Sequence, residues 1–275
     1  MRSTSKYSND TTLPYFVAIA GAVTCAISAA AYFTWRYFTS RTQEQISEVP
    51  LQDVAPEPSA ILREKSSPGV QCAAEGTGPF YHRKYQIRIQ APRMNAGQLM
   101  DEVRANLNAC SPLLLARFEK TKSISSNLEP CSQDGKSRKH ATLNVGDEFQ
   151  IHITGPWNGP VKVAESTDDS FTFVTKEGHF EAGGIRFRAF PTAKEISNQT
   201  DADAPARPAS SPHLIFEIES WSRSSDGLVD FVYDKIPAAR LAQTQMWTQF
   251  CEGAAKLSGG DPSGRVKIIT ERSIP

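Results

Sequence analysis

The chain has 275 residues, and its 30 Lys and Arg balance 30 Asp and Glu, so the formal net charge at pH 7 is zero. Without excess positive charge the chain lacks the attraction to phosphate on which nucleic-acid binding depends, and no nucleic-acid partner is expected. The five cysteines show neither C-x-x-C nor a zinc-type spacing, and no H-E-x-x-H, Walker or G-x-S-x-G motif occurs, so neither a metal nor another cofactor is predicted.

An uncharged run from Tyr15 to Trp35 follows an N-terminal tail of residues 1–14. At 1.5 Å per residue this run forms a helix of about 31 Å, which matches a hydrocarbon core of about 30 Å. Aromatic residues lie at both of its ends, as in membrane-spanning helices. The run predicts a single-pass membrane anchor, with a cleaved signal peptide or a transit sequence as the alternatives. Arg2 and Lys6 before it balance Arg36 and Arg41 after it, so neither the orientation nor the membrane is predicted.

Residues 36–75 contain four prolines among Glu, Gln and Ser, which indicates a flexible linker. Residues 76–260 are long enough for one folded domain, and 261–275 are interpreted as a tail. Within the domain the polar segment from Pro191 to Pro212 is predicted to be a disordered insertion. Cys72, Cys110, Cys131 and Cys251 of the soluble part could form two disulfides in an oxidising compartment, or stay reduced elsewhere.

Two segments of the domain predict helices. Asn95 is placed to cap a helix that begins at Ala96 and carries Leu99, Val103 and Leu107 on one face. A longer helix is predicted from Pro237 to Leu257, with apolar residues spaced by three or four and a Gly-Gly stop.

Between these helices apolar and polar residues alternate with period two, as in strands covered on one face. The strands carry Phe149 to Ile153, Val161 to Val163, Phe171 to Phe173, Ile185 to Ala189, Leu214 to Ile218 and Val229 to Tyr233. Turn signals, among them Asp168-Asp169 and Gly183-Gly184, predict an antiparallel meander. The predicted fold is α+β, a curved antiparallel sheet that grips the long C-terminal helix. Its large apolar side chains either fill the space under the helix or leave a cavity for an apolar ligand.

From about Phe80 to Leu257 the chain resembles an uncharacterised family, the domain of unknown function numbered nineteen-ninety. Its central signature, Gly-His-x-Glu-(Ser/Ala)-Gly followed by two glutamates, Arg and Phe, matches the segment from Gly178 to Phe187. Further matches are Phe216-Glu217-Ile218 leading to Trp221-Ser222-Arg223-Ser224, and the helix with Arg240, Gln243 and Gln245. The resemblance implies a START-like helix-grip fold, whose better-known members bind lipids, hormones and other apolar molecules. Gly184 and Ile185 replace the two glutamates, which weakens any carboxylate chemistry implied by the family.

Six residues are candidates for ligand contact, and His179 and Glu181 are also candidates for acid–base chemistry. Alternatively, these two hydrogen-bond the backbone of their own turn, because no nucleophile is tied to them by spacing. Arg186 is expected to hold an anion or to pair with Glu181. The six candidates are Trp157, His179, Glu181, Arg186, Trp221 and Met246.

The sequence therefore favours a membrane-anchored module that binds an apolar or lipid-like molecule between the sheet and the long helix. A second hypothesis is an interaction protein with a solid core, whose polar sheet face meets a partner through Arg186 or Arg188. A third is an enzyme that uses His179 and Glu181. The basic cluster from Lys136 to His140 is either a lipid-headgroup contact or a solvated loop.

Overall fold

The computed structural model describes residues 40–112, 116–124, 143–153, 158–192, 213–227 and 237–274, with the backbone alone at 158 and 237–241. The predicted membrane span, the basic cluster, the strand predicted around Phe231 and most of the predicted insertion lie outside these residues. Among the described residues no helix is long and apolar enough to cross a membrane.

The described residues form one sheet whose strands lie in the order β1-β9-β2-β8-β7-β6-β5-β4-β3. Neighbouring strands are antiparallel except β1 and β9, which are parallel, so the sheet is mixed rather than antiparallel throughout. The strands are β1 Thr42–Pro50, β2 Thr77–Gln90, β3 Ala116–Lys122, β4 Glu148–Ile153, β5 Asn158–Ser166, β6 Ser170–Thr175, β7 Glu181–Pro191, β8 His213–Ser224 and β9 Asp261–Ile274.

The meander predicted from the alternating pattern is confirmed, because β4 to β8 pair in chain order. Asp168 and Asp169 lie between β5 and β6, as expected. The turn predicted at Gly183-Gly184 is wrong, since both glycines lie inside β7. Gly183 has a φ of +144°, and a Cβ on it would overlap the carbonyl oxygen of Trp221 in β8. This glycine therefore permits close approach of two strands rather than a reversal of the chain.

The four described α-helices are α1 Ser59–Arg63, α2 Ala96–Ala105, α3 Leu107–Cys110 and α4 Pro237–Leu257, and three short 3-10 helices lie at Leu51–Asp53, Glu64–Ser66 and Ala73–Glu75. The predicted cap at Asn95 is confirmed: its side chain accepts from the backbone nitrogen of Gln98 at 2.9 Å. The Gln98 side chain in turn accepts from the Asn95 backbone nitrogen at 3.0 Å, which completes a capping box. The predicted bounds of the long helix agree with those of α4.

Helix α4 packs on the apolar side of the sheet, here called the helix face, and the sheet curves around it. The Phe250 ring lies 6.1 Å from that of Phe118 in β3 and 6.2 Å from that of Phe216 in β8. These strands are five steps apart, about 24 Å in a flat sheet. Because one ring reaches both, the sheet must bend toward the helix. The predicted curved sheet that holds a long C-terminal helix is thus confirmed.

The N-terminal segment covers the opposite side of the sheet, here called the back face. Ile61 of α1 is 2% exposed and packs with Trp221, Ala164 and Val174. Upstream of it, β1 pairs with β9 from Thr42 to Pro50. The prediction of a flexible linker over residues 36–75 is therefore wrong for Thr42–Pro50 and for α1. A polar strand is held by backbone hydrogen bonds, which leave no hydrophobic pattern in the sequence, so this strand could not be predicted from periodicity.

The tail predicted for 261–275 is also wrong. Asp261–Ile274 form β9, which pairs with β1 on one side and β2 on the other. Val266 and Ile268 are each 1% exposed and belong to the main core. The C-terminal residues therefore belong to the folded domain.

Candidate functional site

A small cavity lies on the helix face, between the sheet and the side chains of Gln243, Met246 and Trp247 in α4. Its volume is about 40 Å³. Because one water molecule needs about 10 to 15 Å³ of such space, the cavity has room for about three. The sheet residues that line it are Ile151, Ile153, Val161, Phe173, Thr175, His179, Phe180, Glu181, Gly184, Ile185, Ser220 and Ser222.

The apolar walls of the cavity follow from the strand alternation. Odd-numbered residues of β4, of β6 and of most of β7 face the helix, which brings Ile151, Phe173 and Ile185 to the cavity. Elsewhere on this face the core is filled by aromatic rings. Phe171 and Phe187 stack at 4.7 Å, and Phe187 meets Trp247 at 5.6 Å. The cavity is therefore a limited space at one end of a packed core.

His179 lies in the turn between β6 and β7 and is 7% exposed. Its Nδ1 lies 2.9 Å from the backbone nitrogen and 2.9 Å from the backbone oxygen of Glu181. The amide hydrogen of Glu181 points at Nδ1 and would collide with a second hydrogen there, so the neutral ring carries its proton on Nε2. Burial lowers the pKa of His179 to about 4, against a weaker opposing effect of the Glu181 backbone. The ring is therefore neutral at pH 7.

His179 is one of the residues that line the cavity. A Cβ on Gly159 of β5 would lie 3.3 Å from Nε2, so the glycine leaves room for this atom. Among the described residues no hydrogen-bond partner faces Nε2. The ring thus presents one N–H donor toward the cavity.

Glu181, the first residue of β7, places its carboxylate at the same cavity. Gln243 of α4 donates to both of its oxygens, at 3.0 and 3.1 Å, and Ser222 donates to one at 3.4 Å. The Arg83 guanidinium of β2 lies 3.5 Å from the carboxylate and donates to Gln243 at 3.2 Å. These contacts hold the carboxylate in place between the sheet and α4.

The residues of β8 that lie on the helix face change from apolar to polar along the strand. Phe216 and Ile218 are fully buried in the core, whereas the next residues on this face are Ser220 and Ser222. Both serines line the cavity, and Ser220 is 8% exposed. The polar groups of the cavity therefore gather at the end where β7 begins and β8 ends.

Three of the six predicted contact residues, His179, Glu181 and Met246, line the cavity. Trp157 lies outside the described residues. Arg186 and Trp221 do not belong to the site, because they lie on the back face, where the Arg186 guanidinium is 5.4 Å from the Trp221 ring. Along β7 the even-numbered Arg186 points away from the odd-numbered Glu181. The expected pair of Arg186 with Glu181 is therefore wrong, and Arg186 binds Glu219 at 2.5 Å instead.

Further charged residues of the back face are engaged within the chain. Arg188 pairs with Glu217 at 2.5 Å, and His82 lies 2.9 Å from Glu219 and 2.8 Å from Glu271. Burial alone would raise the pKa of Glu219, but hydrogen bonds from His82, Arg186 and Lys84 lower it to about 2. Arg186 and Arg188, the residues expected to meet a protein partner, thus already have carboxylate partners in their own chain.

The sequence reasoning missed Arg83, Ser220 and Ser222. Arg83 lies in β2, where Tyr85, Ile87 and Ile89 alternate with polar residues. This strand could therefore have been predicted from its alternating pattern. Ser220 carried no signal of its own, and Ser222 was noted only as part of the match from Trp221 to Ser224. Only the pairing of β8 with β7 brings Ser222 opposite Gly183 and close to Glu181.

The site offers little support for the acid–base pair considered from the sequence. His179 contacts the backbone of Glu181, while the Glu181 carboxylate is held by Gln243 and Ser222. A ring whose pKa is about 4 is a weak base at neutral pH. Within the described ranges no three His, Cys, Asp or Glu residues are grouped for a metal, and the described cysteines Cys72, Cys110 and Cys251 are free and buried. Burial raises the pKa of Cys110 to about 12, which leaves a poor nucleophile.

No protein-family model and no curated relative matches this chain. Among solved structures it is similar to a norcoclaurine synthase from Thalictrum flavum, at 10% identity and a TM-score of 0.38, over 66% of this chain and 96% of the other. It is also similar to the KanY protein, at 9% identity and a TM-score of 0.37, over 64% and 96%. A third match is the Zhui aromatase/cyclase from Streptomyces sp. R1128, at 9% identity and a TM-score of 0.36, over 66% and 94%. Similarities this low identify neither a family nor a function.

Proposed function

We propose that the domain binds a small, mainly apolar molecule in the cavity between the sheet and α4. One observation carries this proposal: apolar walls surround polar side chains, those of His179, Glu181 and Ser220, that line the same small cavity. A ligand with one polar group would hydrogen-bond to these side chains and fill the apolar space.

The size of the cavity limits the ligand. A space of about 40 Å³ in an otherwise filled core does not accommodate a whole lipid as it stands. A longer molecule would need the side chains of Met246 and Trp247 to move, and Met246 is the more adaptable of the two because its thioether chain is unbranched and flexible. We therefore favour a small ligand, or the polar end of a longer one.

Native mass spectrometry of the full chain, released from detergent, tests this function. Wild type is expected to retain a stoichiometric small molecule. Ile185→Phe, which fills the cavity, is expected to lose it. Ile46→Phe makes the same change on a side chain 51% exposed in β1 and should retain it. A wild-type protein that is empty, or an Ile185→Phe protein that keeps its ligand, contradicts the proposal.

We also propose that the run from Tyr15 to Trp35 anchors the chain in a membrane, on the basis of its length, its lack of charge and its aromatic ends. Since β1 begins at Thr42, the connection after the run shortens to residues 36–41. The full chain should resist extraction by alkaline carbonate, whereas a chain lacking residues 1–39 should not sediment with membranes. A mature protein whose mass lacks residues 1–35 would instead establish a cleaved signal.

A further inference from the structure

We infer that the ligand presents an uncharged hydroxyl group to the polar end of the cavity, and that carboxylates are rejected there. This inference rests on the proposed function, namely that a small molecule binds in this cavity. It follows from which donors and acceptors line the polar end.

The donor is His179. Its Nδ1 accepts from the backbone amide of Glu181, so the proton of the neutral ring is on Nε2, and His179 lines the cavity. Because the ring is 7% exposed, this N–H has little access to bulk water. A ligand atom that accepts a hydrogen bond is therefore favoured next to it.

The acceptor is the Glu181 carboxylate. It takes hydrogen bonds from Gln243 and Ser222, and an ionised carboxylate has about four lone-pair positions, so capacity for a ligand donor remains. Glu181 lines the cavity, whereas its cationic partner Arg83 does not. An entering ligand therefore meets the negative member of this ion pair, and a second carboxylate would be repelled.

One small group satisfies both requirements. A hydroxyl oxygen accepts from His179 while its hydrogen is donated to Glu181, and the hydroxyls of Ser220 and Ser222 can complete either role. An ammonium group would pair with the Glu181 carboxylate. It could not accept a hydrogen bond from the N–H of His179, because both groups are donors. The apolar part of the ligand then lies along Ile185, Phe173 and Ile151.

Three ligands that share a four-carbon chain separate these cases: 1-butanol, butanoate and butylamine, each titrated into the full chain at pH 7. Binding is followed through the ring ¹⁵N resonances of His179, assigned with His179→Asn. We expect 1-butanol to bind at least about tenfold more tightly than butanoate, and more tightly than butylamine. Butanoate or butylamine binding as tightly as 1-butanol overturns the inference but leaves the proposed function standing.

Two variants sharpen the test, each checked for an unchanged thermal unfolding midpoint. Glu181→Gln removes the negative charge and leaves Arg83 without its carboxylate, so butanoate should gain affinity and the preference for 1-butanol should shrink or invert. Ser220→Ala keeps the Arg83–Glu181 pair and should weaken 1-butanol severalfold without favouring butanoate. An unchanged preference in Glu181→Gln contradicts the inference. If none of the three ligands moves the His179 resonances, the cavity holds only water and the proposed function itself fails.

Discussion

At the residue scale, His179 shows how one backbone contact changes the chemical role expected from a motif. The spacing of His179 and Glu181 indicates two side chains on one side of a strand, and hence an acid–base pair. In the structure the ring stacks on Phe180 at 4.6 Å and its Nδ1 meets the Glu181 backbone. The histidine is thereby buried in its neutral form, which makes it a hydrogen-bond donor of the cavity rather than a base.

Burial of neutral His179 predicts that acid destabilises the fold. Its pKa falls from 6.5 when unfolded to about 4 when folded. Between these values the unfolded state binds the extra proton, so the free energy of unfolding falls as pH is lowered from 6.5 toward 4, by up to about 3 kcal/mol for this group. His179→Asn should lack this part of the pH dependence in denaturant unfolding followed at several pH values.

His152→Asn is the matched control for this measurement. The His152 side chain is 44% exposed and pairs with Glu119 on the surface. Its replacement should leave the slope between pH 6.5 and 4 close to that of wild type. An unchanged slope in His179→Asn would show that the ring is not buried in its neutral form.

At the scale of elements, helix α1 is held on the back face because Ile61 packs against Gly184 of β7. A Cβ on Gly184 would lie 2.5 Å from Cδ1 and 2.8 Å from Cγ1 of Ile61. A larger side chain at position 184 would occupy the space that Ile61 fills.

This fit predicts coupling between the two positions. Gly184→Ala should destabilise the protein by about 1 to 3 kcal/mol through overpacking, and Ile61→Ala by about 2 to 5 kcal/mol through the cavity that it leaves. The double variant should be more stable than the sum of the two costs implies, because Ile61→Ala removes the atoms that collide. Gly227→Ala, where no atom lies within 4 Å of the new Cβ, serves as the control. Strict additivity in chemical denaturation would show that α1 does not pack on Gly184.

At the scale of the whole molecule, β9 joins the first strand of the described sheet to β2. It lies between β1 and β2, so the last described residues hold the first strand in the sheet. Removing β9 would take away the strand that β1 pairs with among the described residues and would expose one edge of β2.

A chain that ends at Gly260 should therefore fail to unfold cooperatively. It lacks Val266 and Ile268, whose burial contributes about 1.5 to 3 kcal/mol each, a large part of a typical stability of about 5 to 15 kcal/mol. A chain that ends at Ser273 loses Ile274, which is 37% exposed, and Pro275, which lies outside the described residues, and should melt close to wild type in calorimetry. A sharp, wild-type-like transition in the shorter chain would contradict the role assigned to β9.

Local sequence signals determined the strands and helices whose apolar residues are regularly spaced or whose ends carry a capping residue. The bounds of α4 follow from its apolar spacing and its terminal Pro and Gly, and the start of α2 follows from the Asn95 capping box. The meander from β4 to β8 follows from alternation, because one face of each strand is buried and the other is polar. The sequence also indicated His179, Glu181 and Met246 as neighbours of a cavity under the helix.

Only the tertiary structure decided the rest. Thr42–Pro50 is polar and is a strand because β9 supplies its hydrogen bonds, which no local pattern encodes. Trp221 and Arg186 lie on the back face because the register of β7 and β8 sets the parity of each residue. The cavity joins Glu181, Ser222 and Gln243 from three distant segments. Contacts between segments far apart in the chain depend on how the sheet curves around α4, and that curvature is a property of the packed core as a whole.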